Sequence, residues 1–305
     1  MKNTDHRITR RRVLAAGIAG AASLVTVRAT AKTKSRGGSM SAKMPVAFLP
    51  HGGGPVTHVE LGMPKAEVES LGRYWRSVRD LPPTTPRAIL AVSAHWEEGV
   101  PTVMSSARPP MLYDYGGFPA EAYKITWPAP GDPELASQVR DLLGRAGFAT
   151  AENKQRGFDH GTFTPLKQTY PNADVPVLQL SLKRGLDAAE HLALGRALAP
   201  LREEGVFIVG SGDTFHNMAE FFGGNAFDKS MKFDEWLKNA VTGSVAKRDE
   251  LLTTWEKAPF ARYCHPREEH LIPLMVIAGA AGNDPGTITW SGPFMGTQQT
   301  GFHFG

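Results

Sequence analysis

Four short apolar runs stand out from an otherwise mixed sequence: Val46-Ala47-Phe48-Leu49, Ala88-Ile89-Leu90-Ala91-Val92, Val175 to Leu182, and Val206-Phe207-Ile208-Val209. Runs of this length, ended by Gly, Pro or Ser, read as strands buried on both faces. Between them the apolar positions change to helical spacing. Val68, Leu71, Tyr74, Trp75 and Val78 share one side of a helix over 64–80, and Leu135, Val139, Leu142 and Leu143 one side of a helix over 133–146. Further helices are predicted over 188–202, about 228–244 and 247–256. Pro266 is expected to open one more, with Glu268 and Glu269 in its first turn and the apolar body Leu271 to Ala278 behind them. In that reading Pro273 sits early enough to be tolerated. Thr102-Val103-Met104 reads as a short strand, 106–131 as a long Pro-, Gly- and Tyr-rich loop, and Ile288 to Trp290 with Gly301 to Phe304 as closing β structure. Strands alternating with helices, and no internal repeat, predict an α/β fold: a single domain with a central, mostly parallel sheet flanked by helices, over residues 44–305.

The N-terminal stretch has a different pattern. Arg10-Arg11-Arg12 precede an Ala- and Gly-rich apolar run to about Val27, and Ala29-Thr30-Ala31 follows. Basic, apolar and small-residue regions in that order describe a secretory leader, and the paired arginines make it a twin-arginine-type signal over 1–31. The apolar run is too short to span a membrane comfortably, so no membrane association is expected after cleavage. Residues 32–43 read as a flexible linker. The expected location is periplasmic or secreted.

The leader also explains the charge. The chain carries +4, but without residues 1–31 it holds 28 basic and 29 acidic side chains, a net −1. A near-neutral domain gives no footprint for nucleic acid. The single cysteine, Cys264, excludes an internal disulfide and a Cys-x-x-Cys zinc site.

Ten histidines remain to be sorted. His51, His95 and His216 each follow a short buried strand, and in parallel sheets the carboxyl ends of strands gather along one edge, where the ligand crevice lies. His160, in Gly157-Phe158-Asp159-His160-Gly161, and His270, in the second turn of the last predicted helix, join them as candidates. Imidazole serves both as metal ligand and as proton carrier near neutral pH. A ligating histidine usually gives its other N–H to a carboxylate or carbonyl, and Asp159, Asp213 and Glu269, next to His160, His216 and His270, are the candidates for that part. Taken singly, each histidine reads better as a hydrogen-bonded structural residue. Three at strand ends shift the balance to a site. His6 lies in the leader, while His58, His191 and His265 lack a comparable setting and His303 is ambiguous.

Other signals are weaker. His51-Gly52-Gly53-Gly54-Pro55 lacks the Gly-Lys-Ser/Thr of a phosphate loop, and no Gly-x-Ser-x-Gly elbow supports a serine hydrolase. Tyr113, Tyr115, Phe118, Tyr123 and Trp127 suit an aromatic-substrate pocket or, equally, the anchoring of a loop.

Taken in order, Pro50-His51-Gly52-Gly53-Gly54-Pro55, Ser93-Ala94-His95-Trp96, Phe158-Asp159-His160-Gly161, Gly210-Ser211-Gly212 through His216-Asn217-Met218, and Glu269-His270-Leu271-Ile272-Pro273-Leu274 resemble the class III extradiol ring-cleavage dioxygenases. The resemblance is to the DOPA dioxygenase-like branch and covers nearly all of the chain after the leader. It implies a small aromatic diol and dioxygen as substrates. It implies ferrous iron, with zinc in some members, held at His51, His95 and His270. It makes His216 the acid/base and His160 a group that supports or orients the substrate. The wider superfamily has a carboxylate as third ligand where this branch has histidine, and Glu269 beside His270 keeps that assignment open. Two alternatives use the same ligands: a zinc-dependent hydrolase, and an exported metal-binding protein without catalysis. The sequence does not set the oligomeric state.

Overall fold

A strand buried on both faces sends alternate side chains into two different cores, and the four apolar runs do this. In chain order the elements are β1 (Val46–Pro50), α1 (Lys65–Ser77), β2 (Ala88–Glu98), β3 (Thr102–Met104), α2 (Pro133–Arg145), β4 (Ala151–Asn153), α3 (His160–Thr169), β5 (Val177–Lys183), α4 (Ala188–Leu198), β6 (Val206–Gly212), α5 (Ala226–Val241), α6 (Val245–Thr253), α7 (Ala261–Cys264), α8 (Ile272–Ala281), β7 (Gly286–Phe294) and β8 (Thr297–Phe304). Val46 and Phe48 of β1, Leu90 and Val92 of β2, and Ile208 of β6 enter one core. Ala47 and Leu49, Ile89 and Ala91, and Phe207 and Val209 enter the other. Period two with both faces apolar gives the continuous runs seen in the sequence.

The computed structural model describes residues 42–221 and 225–305. The expected leader, and the expected linker as far as residue 41, lie outside them. Among the described residues eight strands form one sheet in the order β4-β3-β5-β2-β6-β1-β8-β7. β5, β2, β6 and β1 run parallel to one another, and so do β3 and β4. The closing hairpin is antiparallel, and its strand β8 pairs with β1, setting Val46 opposite Phe304 and Phe48 opposite Phe302. The parallel centre matches the expected fold class. No helix of the described residues is long and apolar enough to cross a membrane.

Helices cover both faces. α1 and α3 bring Leu71, Trp75, Phe163 and Leu166 to one core. α4 and α8 pack on the other, and all ten residues of α8 are buried. A Cβ on Gly279 of α8 would stand 2.0 Å from the Leu192 carbonyl of α4, so the backbones meet where no side chain fits.

Three local expectations change. β2 does not stop at Val92 but continues to Glu98, with a register shift against β5 between Val92 and Glu97. Residues 160–169 form a helix, which Gly161, three threonines and Pro165 conceal. Pro266 does not open the last helix. α8 starts at Ile272 with Pro273 in its first turn, where a missing N–H costs nothing and the ring has no preceding turn to strike. His270 therefore stands in the turn before α8 and not in a second helical turn.

Candidate metal centre and active site

β1, β6 and β2 are parallel and adjacent in the sheet, so their carboxyl ends form one rim. His51 leaves β1 there, with its N–H donating to the Gly212 carbonyl of β6 at 2.9 Å. His95 lies inside β2, in the segment bracketed by the register shift, an irregularity of the kind that re-aims side chains. His216 follows β6, and its N–H donates to Cys264 O at 2.9 Å. The turn carrying His270 is tied to the same rim, since Asp213 N–H donates to His270 O at 3.0 Å. His160 is the first residue of α3, behind Asp159, whose carboxylate accepts from Thr162 N–H at 3.1 Å as an N-cap. Gly161 makes the approach possible. A Cβ there would lie 2.9 Å from His95 Cδ2 and 3.2 Å from His51 Nδ1.

All five candidate histidines meet. His51 Nε2 is 3.1 Å from His95 Nε2. Ring centres of His51 and His95 lie 4.8 Å apart, those of His51 and His270 5.1 Å, and those of His95 and His270 4.9 Å. One ligand atom from each of these three lies within 4.8 Å of the others. The His160 ring is 4.0 Å from that of His95, and the His216 ring stacks on that of His270 at 3.3 Å. Metal–nitrogen bonds of about 2.1 Å put neighbouring ligand nitrogens about 3 Å apart, the spacing seen between His51 and His95.

Hydrogen bonds decide which nitrogen faces the centre. Ser211 Oγ donates to the Gly161 carbonyl, which can only accept, so Ser211 accepts from His51 Nδ1–H at 2.9 Å. His51 Nε2 then carries the lone pair. His270 Nδ1–H donates to Glu269 Oε1 at 2.9 Å, leaving its Nε2 as the bare nitrogen. Glu269 stands on the Nδ1 side of His270 and also lies 3.2 Å from His216 Nδ1. His51, His95 and His270 form one group that could hold an ion, and His216, Glu269 and His270 form another, in which Glu269 faces both rings.

The sequence neighbours proposed as partners are only partly right. Asp213 does not serve His216; its Oδ2 lies 3.4 Å from His51 Nε2, and its Oδ1 accepts Gly52 N–H at 3.2 Å. Asp159 does not serve His160 either. It accepts from Ser93 Oγ at 2.8 Å, Gln179 Nε2 at 2.6 Å and Arg156 Nη2 at 2.9 Å. The partner of His160 is Asp114, which accepts both its Nδ1–H and its backbone N–H at 2.9 Å and stands 3.5 Å from His95 Nδ1. Nothing in the sequence singled out Asp114, and Ser211 stood out only as the middle of Gly210-Ser211-Gly212, with no role attached. Asp114 sits in the long loop among the tyrosines, and that placement was its single available signal.

Burial dominates the electrostatics. It lowers His51 and His270 well below the usual imidazole range, helped by the neighbouring rings, and lowers His95 to about 4. The three are neutral at pH 7, as ligands must be. Burial also raises the Asp213 carboxyl. Asp114 is pushed up by burial, but the hydrogen bond and charge of His160 outweigh this and bring it to about 2. The thiol of Cys264, raised to about 12 by burial, is inert.

Above the cluster lies a cavity of about 490 Å³. The five histidines, Asp213 and Gln299 form part of its lining, with Tyr115, Phe118, Phe221, Phe294 and three methionines. Of the loop aromatics, Tyr115 and Phe118 reach the cavity. Trp127 is buried with its N–H on Tyr170 O, and Tyr113 is bonded to Ile125 O, so these anchor the loop. Three further histidines are structural. His191 ties α4 to β5 through Asp187 O and Lys183 N, His58 bonds Thr164 O, and His265 bonds Thr214 O.

Residues 45–305 match the family described as the catalytic LigB subunit of aromatic ring-opening dioxygenase. A Beta vulgaris protein named 4,5-DOPA dioxygenase extradiol is 44% identical over 203 residues, covering 65% of this chain and 75% of that protein. An Escherichia coli (strain K12) protein of the same name is 35% identical over 263 residues, covering 84% and 93%. The crystal structure of an uncharacterized protein from Escherichia coli K12 superposes with a TM-score of 0.71 at 31% identity, covering 86% of this chain and all of that one.

Proposed function

Since the chain belongs to the LigB family and is an extradiol ring-cleavage dioxygenase, we propose that it opens a catechol beside its two hydroxyls with dioxygen, using ferrous iron held by His51, His95 and His270. The observation that carries this reading is the convergence of three neutral imidazoles, two with their Nδ1–H already engaged, at the floor of a cavity of ring size or larger. The donor set fits a divalent ion of borderline softness, iron or zinc. When bound, ferrous iron supplies the one-electron chemistry that lets a catechol react with dioxygen, which zinc cannot supply.

The chain's own groups do the rest. His216 lines the cavity with Nδ1 toward Glu269, which leaves Nε2 to take a proton from a catechol hydroxyl and return it as the ring opens. His160, held by Asp114, is placed to hydrogen-bond the diol from the opposite side. Tyr115 and Phe118 offer aromatic faces in the cavity against which the ring can pack. The C–C bond beside the diol breaks and both oxygen atoms enter the product, a semialdehyde acid, so no further reductant is consumed.

The test is dioxygen uptake with a catechol panel. Iron-loaded protein is expected to consume dioxygen and form a yellow ring-opened product, while zinc-loaded protein and His51→Ala do neither. No uptake with any catechol, or a His51→Ala variant as active as the wild type, overturns the reading. The leader sequence supports export in the folded state, which periplasmic fractionation of the full chain checks.

A further inference from the structure

Resting on the ring-cleavage reading, we propose that the substrate is a catechol whose ring substituent is apolar, and that the site discriminates against catechols bearing a carboxylate or a zwitterionic amino-acid arm. A dry cavity of about 150 Å³ already holds benzene. At about 490 Å³ this one has room for the ring and a sizeable arm. The five histidines of the lining meet in one cluster, where the diol belongs. The rest of the lining includes Leu61, Met63, Phe118, Phe221, Phe294 and Met295, which are aliphatic, thioether and aromatic groups. Thioethers adapt their shape to an apolar guest and pack well against rings.

The charge balance points the same way. Among the described lining residues the one side chain of a charged type, apart from the histidines, is Asp213, a carboxyl beside His51 that offers an anion no cationic partner. Arginines beyond the lining are engaged elsewhere. Arg156 holds Asp159 and the His95 carbonyl, and Arg267 grips Glu97 with two bonds of 2.6 Å. A carboxylate taken from water to such a wall loses its hydration without a partner, whereas an alkyl or aryl arm gains from the same burial.

The experiment measures kcat/KM of the iron-loaded enzyme for 4-methylcatechol, 4-butylcatechol, 3,4-dihydroxyphenylpropionate and L-DOPA. The alkylcatechols are expected to exceed both charged compounds by about tenfold or more, with most of the difference in KM. Met218 is 70% exposed at the cavity lining, so Met218→Arg can be accommodated, and it is expected to lower KM for the dihydroxyphenylpropionate at least severalfold. Equal or higher kcat/KM for the charged catechols overturns the inference while leaving ring cleavage intact. If no catechol is turned over, ring cleavage itself fails, and calorimetric binding of the same compounds to zinc-loaded protein decides the inference separately. Tighter binding of 4-butylcatechol then supports it, and equal or tighter binding of the carboxylated compounds overturns it.

Discussion

One hydroxyl decides which nitrogen of His51 is free to bind a cation. Ser211 must donate to the Gly161 carbonyl, so it accepts from Nδ1–H and fixes the tautomer. Ser211→Ala removes that acceptor from a fully buried position. The expected outcome is a folded protein whose metal affinity falls about 10- to 100-fold, read by competition with a coloured chelator. Unchanged affinity would show that the tautomer is held by something else. The histidines were legible in the sequence because strand ends of a parallel sheet must converge. Their partners were not. Asp213 stands three residues before His216 yet faces His51, and Asp114 reaches His160 from across the chain. Adjacency in sequence fixes where a backbone goes but not where the side chain finds its nearest acceptor.

Secondary elements were readable to the extent that their apolar positions repeat. The four buried strands and α1, α2, α4 and α5 carry a clear period and appear where expected. α3 carries none, because buried threonines, a glycine and a proline replace the usual helix formers, and its one usable sign was the capping Asp159. α8 is apolar all round and so shows no face from which its start could be placed. Its far end is held by Arg202, 1% exposed, which donates to Ala280 O and Ala281 O at 3.0 Å, to Met44 O at 2.6 Å and to Asp284 at 2.5 Å. Arg202→Leu leaves those carbonyls without this donor and Asp284 with Lys43 alone. It is expected to lower stability by about 3–5 kcal/mol with an unchanged denaturant slope, measured by urea unfolding. A loss below about 1 kcal/mol would mean that water replaces the guanidinium at no cost.

Several histidines are kept neutral by the whole molecule, and this makes its stability depend on acidity. Burial lowers His95 to about 4 and His265 to about 3, while the unfolded chain protonates both near 6.5. Between pH 6.5 and about 3 the unfolded state therefore binds more protons than the folded one. Stability is full above pH 6.5 and is lost as pH falls through that window. Metal-free protein is expected to show a urea midpoint that declines steadily below pH 6.5, and His265→Phe to make that decline shallower across the whole window. A midpoint constant from pH 7 to 4 would contradict the assignment of these rings as buried and neutral. The order of the strands carries one more consequence. β1, which delivers His51, is hydrogen-bonded on one side to β6 and on the other to β8, the last strand in sequence. His270 likewise comes late. During synthesis His51 is made long before His270, with β2, α3 and β6 translated between them. The cation seat proposed above can therefore be assembled only late in synthesis, after the stretch that separates the two histidines has been made.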